Sequence, residues 1–505
     1  MKHRFSLLLI SLFFAATLHA QPVAGYGQND KDALIKALHG ISEATITDWM
    51  HTLIAPEMRG RLAGDIGYDR SAQWAAEELQ GWGLKPLAPI GSYFQEFLQP
   101  YTLVKDQGHL QLKTRIGRQT ISKPFEFATD YWPSGLSGSG ELEAEVVYVG
   151  HGISAYEMGY DEYAGIDVRG KIVIVELGSP YTGTSPDTLE MWYPYAQTDY
   201  KIENAAKHGA KGMLMAYMAA NPRPTVLPGF LYLSVADHVV EEFLAGTGKE
   251  LKTVREQIKS EMKPQSFSTG KQAFMAVNTE FFPDGKTSNV VAVIEGSDPV
   301  LKNEYMIIGA HLDHLGMMPV LFPGALDNAS GSVIAMGVAK SLAEAGIELK
   351  RTMIILLFGA EEVGLAGSSW FVENWPYDRE QIKFMINLDM VGRGNSFFAA
   401  TSEPWKELLP FFERNNERWV HRPILTRSGP WTFSFRPRTD GAVFSNEKIP
   451  AIHFGARGAT TRTLYHVPED DMRQIEVEIM RDVIKLLTMS IIEMGNAKSL
   501  ETGGF

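Results

Sequence analysis

The sequence predicts an α/β core with a mostly parallel sheet, joined by a second, more β-rich domain. Two observations predict the core. Apolar runs "YMIIGA" (305–310), "TMIILLFGA" (352–360), "FMINLDM" (384–390) and "PAIHFGA" (450–456) alternate with helical stretches such as "NASGSVIAMGVAKSLAEAG" (328–346). Their near-continuous apolar character suits strands covered on both faces by helices. A third observation predicts the second domain. The Gly/Ser-rich "SGLSGSGE" (134–141) reads as a boundary, and from there to about residue 272 the texture changes to short strands and many turns.

In chain order, "DKDALIKALHGISEATITDWMHTLI" and "GYDRSAQWAAEELQGWGL" have apolar residues at three- and four-residue spacing and read as helices. A β-rich stretch follows to about residue 135. In the second domain "GKIVIVELG" reads as a strand and "KIENAAKHGAKGMLMAY" as a helix leading into another strand; "SFSTGKQ" marks the return. The expected division is therefore 1–20, 21–135, 136–272 and 273–505.

Residues 1–20, "MKHRFSLLLISLFFAATLHA", combine a basic start, a short apolar stretch and a small residue at Ala20, the pattern of an export signal. The apolar part is shorter than the ~20 residues a bilayer span needs. Removing Lys2 and Arg4 takes the formal net charge from −13 to −15. That balance excludes a general nucleic-acid or anionic-membrane binder, and no stable membrane insertion is expected. There is no cysteine, which excludes disulfides, thiol catalysis and Cys-based zinc sites. At 505 residues and 45% hydrophobic content the chain can build sizeable cores.

Ligands of open α/β sheets bind beyond the carboxyl ends of the strands. Here those ends carry His311 and Asp313, Asp327 before a helix opened by Ala329, Ser330 and Gly331, the pair Glu361–Glu362, Asp389, and His466 in "LYHVPEDD". Buried charge must be paired or bind something. Carboxylate and imidazole donors suit Zn²⁺, with Co²⁺ or Mn²⁺ as substitutes. They exceed the needs of one tetrahedral zinc and fit two ions sharing a carboxylate. Neighbouring side chains in an extended chain point to opposite faces, so one of Glu361 and Glu362 can ligate while the other acts as general base. Asp313 is placed to hold the second ring nitrogen of His311.

The segments "GAHLDHLG", "GALDNASG", "FGAEEVGLAGS", "INLDMVG" and "YHVPEDD" resemble the M28 metallopeptidases, the co-catalytic zinc aminopeptidase family. Upstream, "MRGRLAGDIGYDRSAQWAAEELQGWGLKPLAPIGSYFQEF" is similar to that family's helical lead-in, and "DVRGKIVIVELG" with "NAAKHGAKGMLMAY" to an inserted protease-associated (PA) domain. The resemblance implies a three-layer zinc-peptidase (phosphorylase/hydrolase-like) core with a PA insert at 136–272. It implies that Asp327 bridges two Zn²⁺, that Glu362 and His466 complete one ion's ligands and His311 and Asp389 the other's, and that Glu361 is the general base and acid. The implied function is exported hydrolysis of N-terminal residues from peptides. A carboxypeptidase or dipeptidase of the same plan, a glutaminyl cyclase and a non-catalytic binding protein are the alternatives.

One departure is visible. Relatives carry Ser-Asp-His before the last strand, whereas this chain has Asp440 followed by Gly441. Of the remaining residues, His314 is expected beside the site rather than as a ligand, and His453 as a satisfied core histidine. Tyr465 could donate to a developing oxyanion, with packing the alternative. Trp431 and Phe433 could line a pocket.

Overall fold

A computed structural model describes residues 28–429, 438–460 and 463–500. The export-signal segment, Trp431 and Phe433 lie outside the described residues. The main sheet has nine strands. At its centre Thr352–Phe358, Tyr305–His311, Ile382–Leu388 and Ala451–Arg457 run parallel to one another in that order. Lys286–Ile294 on one side and Ser396–Ser402 on the other pair antiparallel to this group.

Strand alternation explains the layering. Met306, Ile308 and Ala310, with Met353, Ile355 and Leu357, face one apolar cluster; Tyr305 and Ile307, with Ile354, Leu356 and Phe358, face another. The first cluster is closed by helices Gln28–Leu38, Glu43–Leu53, Ile66–Gly81, Ser330–Ala345 and Val477–Asn496. The second is closed by Ala366–Glu373 and Asp440–Asn446. A sheet apolar on both faces thus becomes the middle of three layers, and its strands contain hardly any polar residues before their last position.

Helix Ser330–Ala345 is buried almost all round and ends on Gly346, whose φ of 66° closes the last turn. Its close approach to Val477–Asn496 depends on Gly337, where a Cβ would stand 2.6 Å from Ile484 Cδ1.

The second sheet has eight strands. Gly140–Tyr148, Ile172–Glu176, Gly212–Ala216 and Leu231–Val235 form a parallel group, and the long strand Phe267–Val277 pairs antiparallel to the first of these. The expected division at 135/136 falls inside this sheet. Phe267–Val277 recruits His109–Ile116 along its other edge, which in turn pairs with Gln119–Pro124, while Tyr131–Pro133 pairs with Leu231–Val235 at the far end.

The Gly/Ser run that reads as a linker is a packed turn. Ser134 and Ser137 are buried, and a Cβ at Gly138 would lie 2.0 Å from the carbonyl oxygen of Pro228. The chain passes between the two sheets through the antiparallel ribbon of Tyr101–Val104 and Thr279–Phe282.

Gly337→Val would push two methyls into Ile484 and Ile41. We expect a loss of about 2–3 kcal/mol, read as a lower midpoint in thermal or urea unfolding.

Candidate metal centre

Parallel pairing places strand ends side by side. His311 is the last residue of its strand and lies opposite Phe358, three residues before Glu361. Asp389 directly follows Ile382–Leu388, next to them in the sheet. Asp327 sits in the irregular turn before helix Ser330–Ala345, where the Asp327–Asn328 peptide is cis. His466 follows strand Ala451–Arg457 and has a φ of 55°.

These side chains converge. His311 Nε2 is 3.2 Å from Asp327 Oδ1 and 3.6 Å from Asp389 Oδ1. His466 Nε2 is 3.2 Å from Asp327 Oδ2 and 3.0 Å from Glu362 Oε2. Each oxygen of Asp327 therefore faces a different imidazole. Two half-sites share one carboxylate, with Asp389 on one flank and Glu362 on the other.

The donor set fits metal ions. Asp389 Oδ1 and His466 Nε2 are buried and make no hydrogen bond, an unsatisfied state that a cation seated at each would relieve. Mixed imidazole and carboxylate donors favour zinc or neighbouring first-row ions. Glu361 is grouped with His311 and Glu362, donor atoms within 4.8 Å of one another, and its carboxylate accepts no hydrogen bond among the described residues. Burial, with Glu362, Asp440 and Asp389 nearby, pushes its carboxyl well above the ordinary range, although His311 opposes this.

The supports differ in part from the expected ones. His311 Nδ1 is held at 3.1 Å by the main-chain carbonyl of Asp313, whereas the Asp313 carboxylate is 3.8 Å away. That carboxylate instead accepts the amide N–H of Glu361 at 3.0 Å and of Glu362 at 3.2 Å, and so fixes the two-glutamate turn. His314 meets Glu362 Oε1 at 2.8 Å through Nδ1 and orients that carboxylate.

Three residues escaped the sequence reading. Asp470 accepts the N–H groups of Leu326 and Asp327 at 2.9 and 3.0 Å. Asn328 donates to the Leu388 carbonyl at 2.8 Å, linking the turn of Asp327 to that of Asp389. Arg61, fully buried, donates to the carbonyls of Leu312 (2.8 Å), Leu53 (2.8 Å), Pro323 (2.7 Å) and Gly324 (2.8 Å). A fully buried arginine needs partners, but nothing in "MRGRLAG" says that three of them are carbonyls at 312, 323 and 324.

Tyr465 is 56% exposed, and its ring stacks on His466 with centroids 3.8 Å apart, which is a packing role. Asp440 is buried, and burial pushes its carboxyl up to about 7. Gly441 leaves room for a histidine of the neighbouring strand: a Cβ at 441 would stand 2.8 Å from His453 Cε1. His453 is half-buried and has Thr439 Oγ1 3.4 Å from its Nδ1.

Paired imidazoles and carboxylates at the strand ends of a three-layer α/β sheet define a candidate metal-dependent hydrolase centre. Residues 289–491 match the family model of peptidase family M28 and residues 142–233 that of the PA domain. The chain thus carries an M28 peptidase domain with a PA domain ahead of it.

It is similar to leucine aminopeptidase 2 of Trichophyton equinum, 36% identical over 185 residues, 34% of each chain. A probable leucine aminopeptidase of Trichophyton verrucosum is 26% identical over 42% of this chain and 58% of its own. The chain thus covers less than two thirds of these relatives. The fold matches an aminopeptidase from Aneurinibacillus sp. strain AM-1 with a TM-score of 0.66, covering 94% of this chain and 98% of that one at 19% identity.

Two predictions follow from the geometry. Asp470→Asn replaces one acceptor by a donor facing an N–H, so metal affinity measured by chelator competition should fall about 10–100-fold. Burial alone would depress both imidazoles, yet facing carboxylates push His466 up to about 11 and His311 well above its usual value. Metal binding must expel these protons, so affinity should fall as pH falls. Calorimetry in buffers of different ionisation enthalpy should detect proton release on loading.

Proposed function

We propose that the protein is an exported zinc-dependent exopeptidase that removes N-terminal residues from peptides. The observation carrying this reading is the Asp327 carboxylate, which turns one oxygen to each of two histidines with the free carboxylate of Glu361 beside them. The relatives named leucine aminopeptidases support the choice of reaction. No helix among the described residues is long and apolar enough to cross a membrane.

In this reading His466 and Glu362 would hold one zinc ion, His311 and Asp389 a second, and Asp327 would contribute to both. Bound zinc supplies Lewis acidity, drawing the pKa of a water toward ~7 and polarising a carbonyl. The protein's own groups do the rest. Glu361, a carboxyl of raised proton affinity in a buried site, takes the proton from the attacking water and returns it to the leaving amine. Asp313 holds the amide of Glu361 and keeps the base in place through both transfers. Asp389 and Glu361 present negative charge to a substrate ammonium. Tyr465 covers His466 and shields it from solvent.

The test is a digest of two peptide pools, one with blocked N-termini and one with blocked C-termini, followed by mass spectrometry. Stepwise loss from free N-termini alone, abolished by chelator, is expected. Glu361→Gln should lower kcat about 10²–10⁴-fold while the protein keeps its zinc. Loss from C-termini would overturn the substrate assignment, and full activity of Glu361→Gln would overturn the role of the base.

A further inference from the structure

Between the two domains lies a cavity of about 790 Å³. Its peptidase wall includes Glu362 and His466, so it opens onto one half of the candidate metal centre. Its other wall is the PA domain, with Trp132, Met215 and the segment 217–223. The volume falls within the ~300–1,000 Å³ of small-ligand sites and suits a short peptide rather than a protein loop.

Arg223 is the only Lys or Arg lining this cavity among the described residues. Its backbone is held firmly. Arg223 N–H donates to Asn221 Oδ1 at 3.0 Å, the Asn221 carbonyl accepts from Gly135 N at 3.0 Å, and Thr225 N–H donates to Thr102 Oγ1 at 2.8 Å. Its guanidinium makes one distant ion pair. The approach to Asp199 Oδ2 is 3.8 Å, beyond hydrogen-bond reach, and the side chain is 35% exposed. Nη2 lies 3.8 Å from where a Cβ of Gly364 would stand, and Gly364 N–H donates to the Glu361 carbonyl at 2.9 Å. A PA-domain cation therefore hangs over the turn that carries Glu361 and Glu362. A planar fork on a fixed backbone, with no hydrogen bond to Asp199, keeps donors for a carboxylate.

We propose that this cavity receives the part of a short peptide beyond the cleaved bond, and that Arg223 binds a carboxylate on that part. The inference rests on the exopeptidase reading above. The apolar wall covers the intervening residues while Arg223 sets how far the carboxylate can lie from the reacting carbonyl. The carboxylate is either the peptide's C-terminus, which would make the PA domain a gauge of length, or an acidic side chain.

The zinc-loaded protein would be assayed with Leu-Ala-Ala, its C-terminal amide, and the amide of Leu-Asp-Ala. Wild type should favour the free acid over the amide by about tenfold in kcat/KM, carried by KM. Arg223→Gln should bring that ratio to within about twofold, and Arg223→Lys should retain part of it, because a point charge replaces the fork. A preference restored by the Asp-containing amide would identify the side chain as the source. Equal treatment of all three peptides by wild type, or an equal loss on all three in Arg223→Gln, would overturn the proposal.

Calorimetric binding of the same peptides to zinc-loaded Glu361→Gln separates the two readings. If wild type releases no leucine from any peptide, the exopeptidase reading fails. Arg223-dependent binding of the free acid would still establish the carboxylate site, and its absence would overturn that as well.

Discussion

The structure turns on the crowding of carboxylates at one end of the main sheet. Asp313, Asp327, Asp440 and Asp470 are almost fully buried there, with Glu361, Glu362 and Asp389 beside them. Burial disfavours every one of these charges, and mutual repulsion adds to that cost. The fold answers with fixed donors. Two amide N–H groups go to Asp313, two to Asp470, and the ring of His314 goes to Glu362. Behind them Arg61 supplies a permanent positive charge, although burial lowers its own pKa to about 10. The donor atoms left over are those of His311, His466, Asp327 and Asp389, which point at one another.

This frame explains how distant segments cooperate. Arg61, from the helical lead-in, bonds the carbonyl of Leu312, between His311 and Asp313, and the carbonyls of Pro323 and Gly324, just before Asp327. Asp470, four residues beyond His466, holds the amide of Asp327 itself. The final loop thus delivers the imidazole of His466 and anchors the turn of Asp327. Asp313 divides its labour in a similar way: its carbonyl steadies His311 and its carboxylate steadies the glutamates.

Much of this was legible in the sequence. Apolar runs ending abruptly in titratable residues disclosed both the parallel core and the rim of Asp327, Glu361, Glu362, Asp389 and His466, because strand burial and strand-end chemistry are local patterns. What stayed hidden was long-range or composition-blind. "SGLSGSGE" has the composition of a linker, but its glycines serve the close approach of Gly138 to Pro228. The strands before it join the second sheet through partners 100 or more residues downstream. The partners of Arg61 are backbone atoms, which leave no trace in side-chain pattern. Asp313 was placed correctly, but its carboxylate and carbonyl exchange the roles that spacing alone suggested.

The PA domain lies against the chemistry. Its segment 217–223 walls the cavity that ends at Glu362 and His466. Thr225 is bonded both to Thr102, in the ribbon where the chain leaves the main sheet, and to the carbonyls of Gly135 and Ser137 in the packed turn. The glycines of that turn therefore act on the site as well: they let the backbone press against Arg223 and Pro228, and so set where the guanidinium stands relative to the Glu361–Gly364 turn. A bulky residue at Gly135 or Gly138 would displace the wall without touching a metal ligand. The two sheets also pack directly, Trp132 and Ala220 against Leu315, Met318 and Phe322, so the wall that carries Arg223 and the loop that leads to Asp327 share one apolar contact.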